Sequence, residues 1–188
     1  MDPARINLNI ALNFHLKPDP IAIVDAQAVG DDFHARFSAT ERRYRYRIVN
    51  RRAPPVLDGA QAWHVTLPLD AEAMHDAAQR LIGKHDFSTF RASLCQANSP
   101  VKTLSRLAVT RHDAWVVIDT AAPSFLHHQV RNIVGTLVPV GLGKWTADDV
   151  TRALEARDRA RGGETAPARG LCLMEVRYDG ARPEAEPA

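Results

Sequence analysis

The alternation of apolar and polar residues along the chain predicts a mixture of strands and amphipathic helices. Runs rich in β-branched and aromatic residues predict strands at 21–24, 42–49, 63–66, 104–110, 114–120 and 171–178. Apolar residues at helical spacing, with polar starts, predict helices over 70–82, 126–138 and 147–157. Asp70 is the expected N-cap of the first helix and Gly83 its stop, and Thr146 opens a capping box before the third. Because strands, hairpins and helices interleave, the predicted class is α+β, with a mostly antiparallel sheet flanked by helices.

The remaining stretches carry no clear periodicity. Residues 4–16 mix apolar residues with asparagines and precede the helix-breaking sequence Lys17-Pro18-Asp19-Pro20, so no element is assigned there. Segment 158–169 is polar and Gly-rich, which indicates a loop. Residues 181–188 are rich in proline and glutamate and are expected to form a disordered tail.

Composition narrows the class of protein. Hydrophobic residues make up 45% of the chain and charged residues 24%, which is typical of a soluble globular protein. The net charge of only +2 means that any nucleic-acid signal must be local. Two cysteines far apart argue against a disulfide scaffold or a zinc site and fit a reducing compartment. No apolar run reaches membrane-spanning length, and the N-terminus lacks a signal-peptide core, so a cytoplasmic protein without a membrane partner is expected.

The strand predicted at 42–49 opens the most informative segment, with six arginines among the eleven residues 42–52. Side chains alternate along a strand, so the arginines from Arg43 to Arg47 share one face, and Tyr44 and Tyr46 share the other. Arginines on a strand offer phosphate contacts, and an aromatic facing a cleft can stack on a base. The alternative is that the tyrosines face the core and the arginines are solvated.

Two further segments carry candidate chemistry. Arg131 flanks the apolar stripe of the helix predicted at 126–138, where it would need a carboxylate or phosphate partner if partly buried; otherwise it is a surface arginine. His127 and His128 would lie about 100° apart on a helix, which does not suit one metal ion, and are interpreted as surface or interface residues. Segment 83–92 is either a binding loop with Arg91 on phosphate or a loop that its phenylalanines anchor to the core.

Seven blocks along the chain match, in order, those of one protein family. They are Ala-Leu-Asn at 11–13 with Ile-Ala-Ile at 21–23, Asp-Asp-Phe-His-Ala-Arg-Phe-Ser-Ala at 31–39, Arg-Tyr-Arg-Tyr at 43–46, His-Asp-Phe-Ser-Thr-Phe-Arg at 85–91, Phe-Leu at 125–126, Val-Arg-Asn-Ile-Val-Gly at 130–135 and Ala-Pro-Ala-Arg-Gly-Leu at 166–171. In this order, the blocks resemble the TruA family of tRNA pseudouridine synthases. The resemblance extends over nearly the whole chain, from about residue 11 to residue 178.

The resemblance implies an activity and a site. Members of the family isomerise uridines 38, 39 and 40 in the anticodon stem-loop of tRNA to pseudouridine, without metal or organic cofactor, as homodimers that bind tRNA across both subunits. By their motifs, Tyr44 corresponds to the tyrosine that stacks on the target base, and Arg131 to the arginine that pairs with the catalytic aspartate. Further RNA contacts are expected from Arg36, Arg43, Arg45 and Arg91.

The chain departs from the family at the catalytic aspartate. The family carries this residue in a Gly-Arg-Thr-Asp-x-Gly-Val-His motif before the Ala-Leu-Asn block, and no such motif occurs in the 188 residues. The expectation is a family fold without its N-terminal part: a remnant of the N-terminal subdomain at 1–50 with the Tyr44 strand, and the C-terminal subdomain at 51–180. A truncated product, a misplaced start and an inactive relic are all open.

Three functional readings follow from this departure. The first is a tRNA pseudouridine synthase whose 188 residues alone would be inactive, and the second is a non-catalytic RNA-binding module that keeps the basic cleft. The third is a protein-interaction domain whose arginines are merely solvated. An uncovered sheet edge is expected to make the isolated chain prone to aggregation or dependent on dimerisation.

Overall fold

The structure, a computed structural model, describes residues 3–179 and divides the chain into two compact units, Met1–Ser38 and Ala39–Ala188. The first unit holds helix α1 (Pro3–His15), where the sequence predicted no element. The strand predicted at 21–24 is wrong, because this segment is irregular. The Asn13 side chain donates to the Ile23 carbonyl at 2.8 Å and accepts from the Ile23 amide at 2.7 Å. A side-chain amide, rather than a neighbouring strand, therefore satisfies this backbone.

The second unit is built on a five-stranded sheet and a separate two-stranded sheet. Its strands are β1 (Ala39–Asn50), β2 (Trp63–Val65), β3 (Gly83–Asp86), β4 (Val101–Leu104), β5 (Arg106–His112), β6 (Trp115–Ala122) and β7 (Leu171–Tyr178). The large sheet runs β2-β1-β6-β5, with β7 also paired to β1, while β3 and β4 pair with each other. Only the β1–β2 pairing is parallel among the described residues. The predicted α+β class with a mostly antiparallel sheet is confirmed, although β3 lies where a loop was predicted.

Strand β1 is the centre of the sheet and belongs to the second unit. It pairs along its length with β6, over its first part with β7, and at its end with β2. The compact units therefore divide at 38/39, whereas the predicted subdomains divide at 50/51; the assignment of residues to family subdomains stays a prediction. The tail predicted at 181–188 lies outside the described residues.

Three helices cover the face of the sheet that carries Tyr46. They are α2 (Ala71–Gln79), α3 (Gln129–Gly141) and α4 (Ala147–Ala156). Their apolar stripes bury Met74, Leu137 and Val150 in one core with the sheet residues. The predicted N-cap of α2 is confirmed, because the Asp70 carboxylate accepts hydrogen bonds from the amides of the first turn. Helix α3 begins three residues later than predicted, where the left-handed backbone of its N-cap, at φ 61°, ends the preceding loop.

The capping box of α4 gives a prediction about pH. The Asp149 carboxylate accepts hydrogen bonds from the amide and hydroxyl of Thr146, both at 2.8 Å, and it pairs with Arg152. These contacts, the Thr146 hydrogen bonds first, lower the pKa of Asp149 from 3.8 to about 2. A depressed carboxyl pKa stabilises the fold above the unfolded-state value, and that contribution is lost as pH falls from about 4 towards 2.

We expect Asp149→Asn to lower the free energy of unfolding at pH 6, and the difference from the wild type to shrink below pH 4. Urea denaturation at pH 6, 4 and 3 measures this difference. Asp148→Asn is the matched control, because Asp148 lies in the same turn and its one ion pair with a described residue is a 3.7 Å contact with Arg80. A difference for Asp149→Asn that does not change with pH would contradict the role of its charge.

Candidate functional site

Tyr44 lies where β1 meets the loop between β6 and α3. Its side chain is partly exposed, and its ring packs edge-to-face on Phe125, with the ring centroids 5.2 Å apart and the planes at 88°. The strand register places Tyr44 opposite Thr120 of β6. A perpendicular contact of this kind restricts the orientation of the ring, which remains partly exposed.

Tyr46 is two residues further along the same face, and unlike Tyr44 it is fully buried. Its hydroxyl donates a hydrogen bond of 2.7 Å to the carbonyl of Pro167, in the loop before β7. Burial raises the pKa of Tyr46, although Arg131 and Arg169 act in the opposite direction, so the hydroxyl stays a donor. Each of the two alternatives for the tyrosines therefore applies to one residue. Tyr46 is a core residue, whereas Tyr44 is accessible.

The loop before β7 also fixes Arg131 in the first turn of α3. The Arg131 Nε donates to the carbonyl of Ala166 at 2.6 Å, and the Ala166 amide donates to the Arg131 carbonyl at 3.2 Å. Within residues 3–179 no carboxylate oxygen lies within 4.0 Å of this guanidinium. Arg131 is half-buried and held by a neutral acceptor, so its charge remains available to an anion.

The loop is tied to α3 by a polar cluster that the sequence did not reveal. The Thr165 hydroxyl donates to Asn132 Oδ1 at 2.7 Å. The Arg159 guanidinium donates to Asn132 Oδ1 at 3.2 Å and to the Thr165 hydroxyl at 3.0 Å. Asn132 is buried, and its amide donates to the carbonyl of Phe90 at 2.8 Å. This cluster places the carbonyl that orients Arg131, and its members are separated by up to 33 residues in sequence.

Two glycines let the loop approach the helix. A Cβ on Gly135 would collide with the carbonyl group of Glu164, and one on Gly163 would lie 2.7 Å from the Cα of Thr136. Gly170 serves the same purpose on the sheet side, where a Cβ would lie 2.6 Å from Cζ of Tyr46. A glycine inside a helix and the Gly162-Gly163 pair were the available sequence signals for this close packing.

Two histidines, His127 and His128, directly precede α3 and lie close together. His128 has φ 61°, a left-handed conformation that is uncommon for a residue with a side chain. Its ring lies 3.9 Å from that of His127, and burial, followed by the charges of His127 and Arg131, lowers the pKa of His128. His127 is exposed and His128 half-buried, and within residues 3–179 no group of three or more metal-ligating side chains is present.

Arg43, Arg45 and Arg47 lie on the sheet face opposite Tyr44, as the alternation predicts. Arg45 pairs with Asp119 on β6, with Nε and Oδ1 2.8 Å apart. Arg43 pairs with Glu41 at 2.7 Å and with Glu175 at 3.4 Å. These carboxylates neutralise much of the charge expected to meet RNA, and a role for Arg43 and Arg45 in RNA binding stays a prediction.

The other two predicted RNA contacts have different surroundings. Arg91 donates to the carbonyls of Cys95 and Ala97 at 2.7 and 2.8 Å, so it shapes its own loop. Phe87 and Phe90 are fully buried, which confirms the anchoring alternative for this segment. Arg36 belongs to the first compact unit, with its guanidinium 5.6 Å from the ring centroid of Phe37. The RNA contacts of both arginines stay predictions.

Comparison with known proteins decides the family. A family model described as tRNA pseudouridine synthase matches residues 77–179, which include Arg131 and the loop that holds it. The chain belongs to this family. It is 64% identical over 168 residues to a tRNA pseudouridine synthase A of Rhodospirillum centenum, covering 89% of this chain and 69% of that protein. Proteins of the same name from Maricaulis maris and a Caulobacter species are 59% and 57% identical, covering 90% and 95% of this chain and 68% and 71% of theirs.

The predicted family is thereby confirmed, and with it the class of enzyme, an isomerase. The chain spans about two thirds of the length of these relatives. Tyr44 precedes the stretch that matches the family model, whereas Arg131 lies inside it. Among residues 3–179 no helix is both long and apolar enough to span a bilayer.

Proposed function

We propose that the chain recognises uridine in tRNA as part of a pseudouridine synthase that modifies positions 38, 39 and 40 of the anticodon stem-loop. The observation that carries this proposal is the arrangement around the loop before β7. That loop holds Arg131 through the Ala166 carbonyl and the Tyr44 strand through the bond from Tyr46 to Pro167. One loop therefore sets the position of both the expected stacking residue and the expected cation.

Tyr44 is the stacking platform in this proposal. The perpendicular contact with Phe125 orients the ring, so a uracil turned out of the RNA stack would meet a preoriented aromatic group. Stacking of a base on an aromatic side chain contributes about 1–3 kcal/mol. The base would gain this energy in place of the stacking that it loses in the RNA.

Arg131 is the cation that orients the catalytic carboxylate. Isomerisation breaks the bond from the ribose to N1 of uracil and forms one to C5. The hydrogen on C5 leaves as a proton to water and N1 takes up a proton, so the reaction balances without a co-reactant. The motif that carries the catalytic aspartate of the family does not occur in the 188 residues. We therefore propose that these residues bind the uridine and that turnover requires a carboxylate placed beside Arg131.

A non-catalytic RNA-binding module is the second candidate. Its support is that Tyr44 and Arg131 would serve binding in both cases. Tritium release from tRNA labelled at uridine C5 separates the two. We expect no release by the 188 residues alone, and release once the aspartate-bearing segment of a relative is joined to them. Failure of the joined protein, folded and bound to tRNA, would favour the binding module.

A prediction for Tyr44 tests the recognition step directly. We expect Tyr44→Ala to weaken tRNA binding about tenfold or more, because the stacking energy is lost. Tyr44→Phe is the matched control and should bind like the wild type, since it keeps the ring and its edge contact. Filter binding measures both, with a tRNA that carries uridine at 38–40 and one that carries cytidine there. Equal binding by the Ala and Phe variants would contradict a stacking role.

The proposal also includes the assembly and the compartment. We propose a cytoplasmic homodimer that binds tRNA without metal or organic cofactor. Sedimentation equilibrium of the 188-residue chain, with and without tRNA, tests the assembly. A monodisperse monomer under both conditions would contradict dimerisation and also the expected tendency to aggregate.

A further inference from the structure

A concave pocket of about 710 Å³ lies at the end of β1 that is remote from Tyr44. Three arginines line it: Arg51 and Arg52, which directly follow the strand, and Arg111 from β5. Asn50 at the strand end lies six positions after Tyr44, so the pocket is roughly 20 Å from the stacking residue, at about 3.3 Å per strand residue. We call it the strand-end pocket.

Arg111 is fixed in the strand-end pocket by neutral partners. Its NH2 donates to the Leu69 carbonyl at 2.6 Å and to Asn50 Oδ1 at 2.9 Å. Asn50 is itself held, because its amide donates to the carbonyls of Val65 and Leu67 at 2.9 and 2.7 Å. The guanidinium is thus preoriented by a network that leaves its positive charge uncompensated.

Arg51 and Arg52 add two exposed charges at the same rim. Arg51 Nε donates to the Ala53 carbonyl at 3.1 Å, again a neutral acceptor. None of the described residues that line the pocket is acidic, and none of its three arginines forms an ion pair with another described residue. Asp70 is next to the lining residue Leu69 in sequence, but its carboxylate accepts from the first-turn amides of α2.

The contrast with Arg43 and Arg45 is what points to a ligand. Arg43 meets Glu175 of β7 and Arg45 meets Asp119 of β6, whereas the three arginines at the strand end line an open pocket. Three uncompensated arginines around a concave surface produce a positive potential suited to a phosphate group. Fixing Arg111 in advance lowers the entropy that binding must overcome.

We propose that the strand-end pocket binds a phosphodiester of the RNA backbone. The inference rests on the proposed function, because the bound RNA is taken to be the tRNA whose uridine meets Tyr44. A phosphate contact about 20 Å from the stacking residue positions the RNA without reading its sequence. The pocket would therefore contribute to affinity for any RNA that reaches it, with or without a target uridine.

The experiment measures RNA binding by the 188-residue chain against salt concentration. Arg51→Gln/Arg52→Gln removes the two exposed charges and leaves the hydrogen-bonded Arg111 in place. Arg51→Lys/Arg52→Lys keeps the charges, and Lys84→Gln/Arg106→Gln removes two exposed charges elsewhere. The ligands are tRNA and an oligoadenylate of equal charge, and circular dichroism confirms that each variant is folded.

We expect the Gln/Gln variant at the pocket to bind both RNAs about tenfold more weakly at 50 mM salt, with the slope of log K against log salt reduced by about 1–2. The lysine variant and the distant control should keep the wild-type slope. If Arg51→Gln/Arg52→Gln shows the same salt slope as Lys84→Gln/Arg106→Gln, the inference about the pocket is overturned and the proposed function is unaffected. A wild-type chain that binds no tRNA would overturn both.

Discussion

Replacing Gly135 with alanine is expected to lower the free energy of unfolding by about 3 kcal/mol or more. The added methyl group would collide with the carbonyl group of Glu164, and neither the helix nor the loop backbone can move without losing contacts. The loop that the methyl group would displace is the one that holds Arg131. The affinity for tRNA should therefore fall together with the free energy of unfolding. Thermal unfolding should show a decrease in Tm of about 10 °C for a protein of this size.

Gly59→Ala is the matched control for this substitution. A Cβ at Gly59 would find its nearest neighbour, Pro55 Cγ, at 3.8 Å, which is ordinary van der Waals contact. Its effect should stay within about 0.5 kcal/mol of the wild type. Equal Tm values for the two alanine variants would show that the loop does not pack on α3 as described.

Arg131→Gln is expected to reduce turnover at least 100-fold in a protein that also carries the aspartate-bearing segment of a relative. Removing one partner of a partly buried ion pair costs about 3–5 kcal/mol, because the remaining charge loses its compensation. At about 1.4 kcal/mol for each factor of ten, this corresponds to more than two orders of magnitude in rate. Tritium release under kcat/KM conditions measures the loss.

The pH profile distinguishes this electrostatic role from a structural one. Without the guanidinium the catalytic carboxyl group should protonate at higher pH, so the acid limb of the profile should move upward. Arg131→Lys keeps the positive charge but lacks the planar guanidinium group. It should therefore bring the acid limb back towards its wild-type pH more fully than it restores the rate. An unshifted limb in Arg131→Gln would mean that Arg131 only supports the loop, and a full rate would exclude it from the site.

The elements that the sequence predicted correctly are those decided by local chemistry. Helix α2 starts at Asp70 because a carboxylate satisfies free amides of the first turn, and α4 starts at Thr146 for the same reason. The alternation in β1 correctly separated Tyr44 from Arg45, since side-chain direction in a strand depends only on parity. Helix α1 was missed because its residues carry no clear apolar stripe, and the strand at 21–24 was wrong because it has Asn13, not a strand, as its partner.

The sequence by itself determined the family, the residue types of the candidate site and the face of β1 on which each lies. Only the tertiary structure decided which arginines are neutralised. Arg45 meets Asp119 across β1 and β6, while the partners of Arg111 among residues 3–179 are neutral groups. It also decided that Arg131 is held by a carbonyl 35 residues away. The physical reason is that a charge depends on neighbours brought together by strand register and loop packing, which local patterns do not specify.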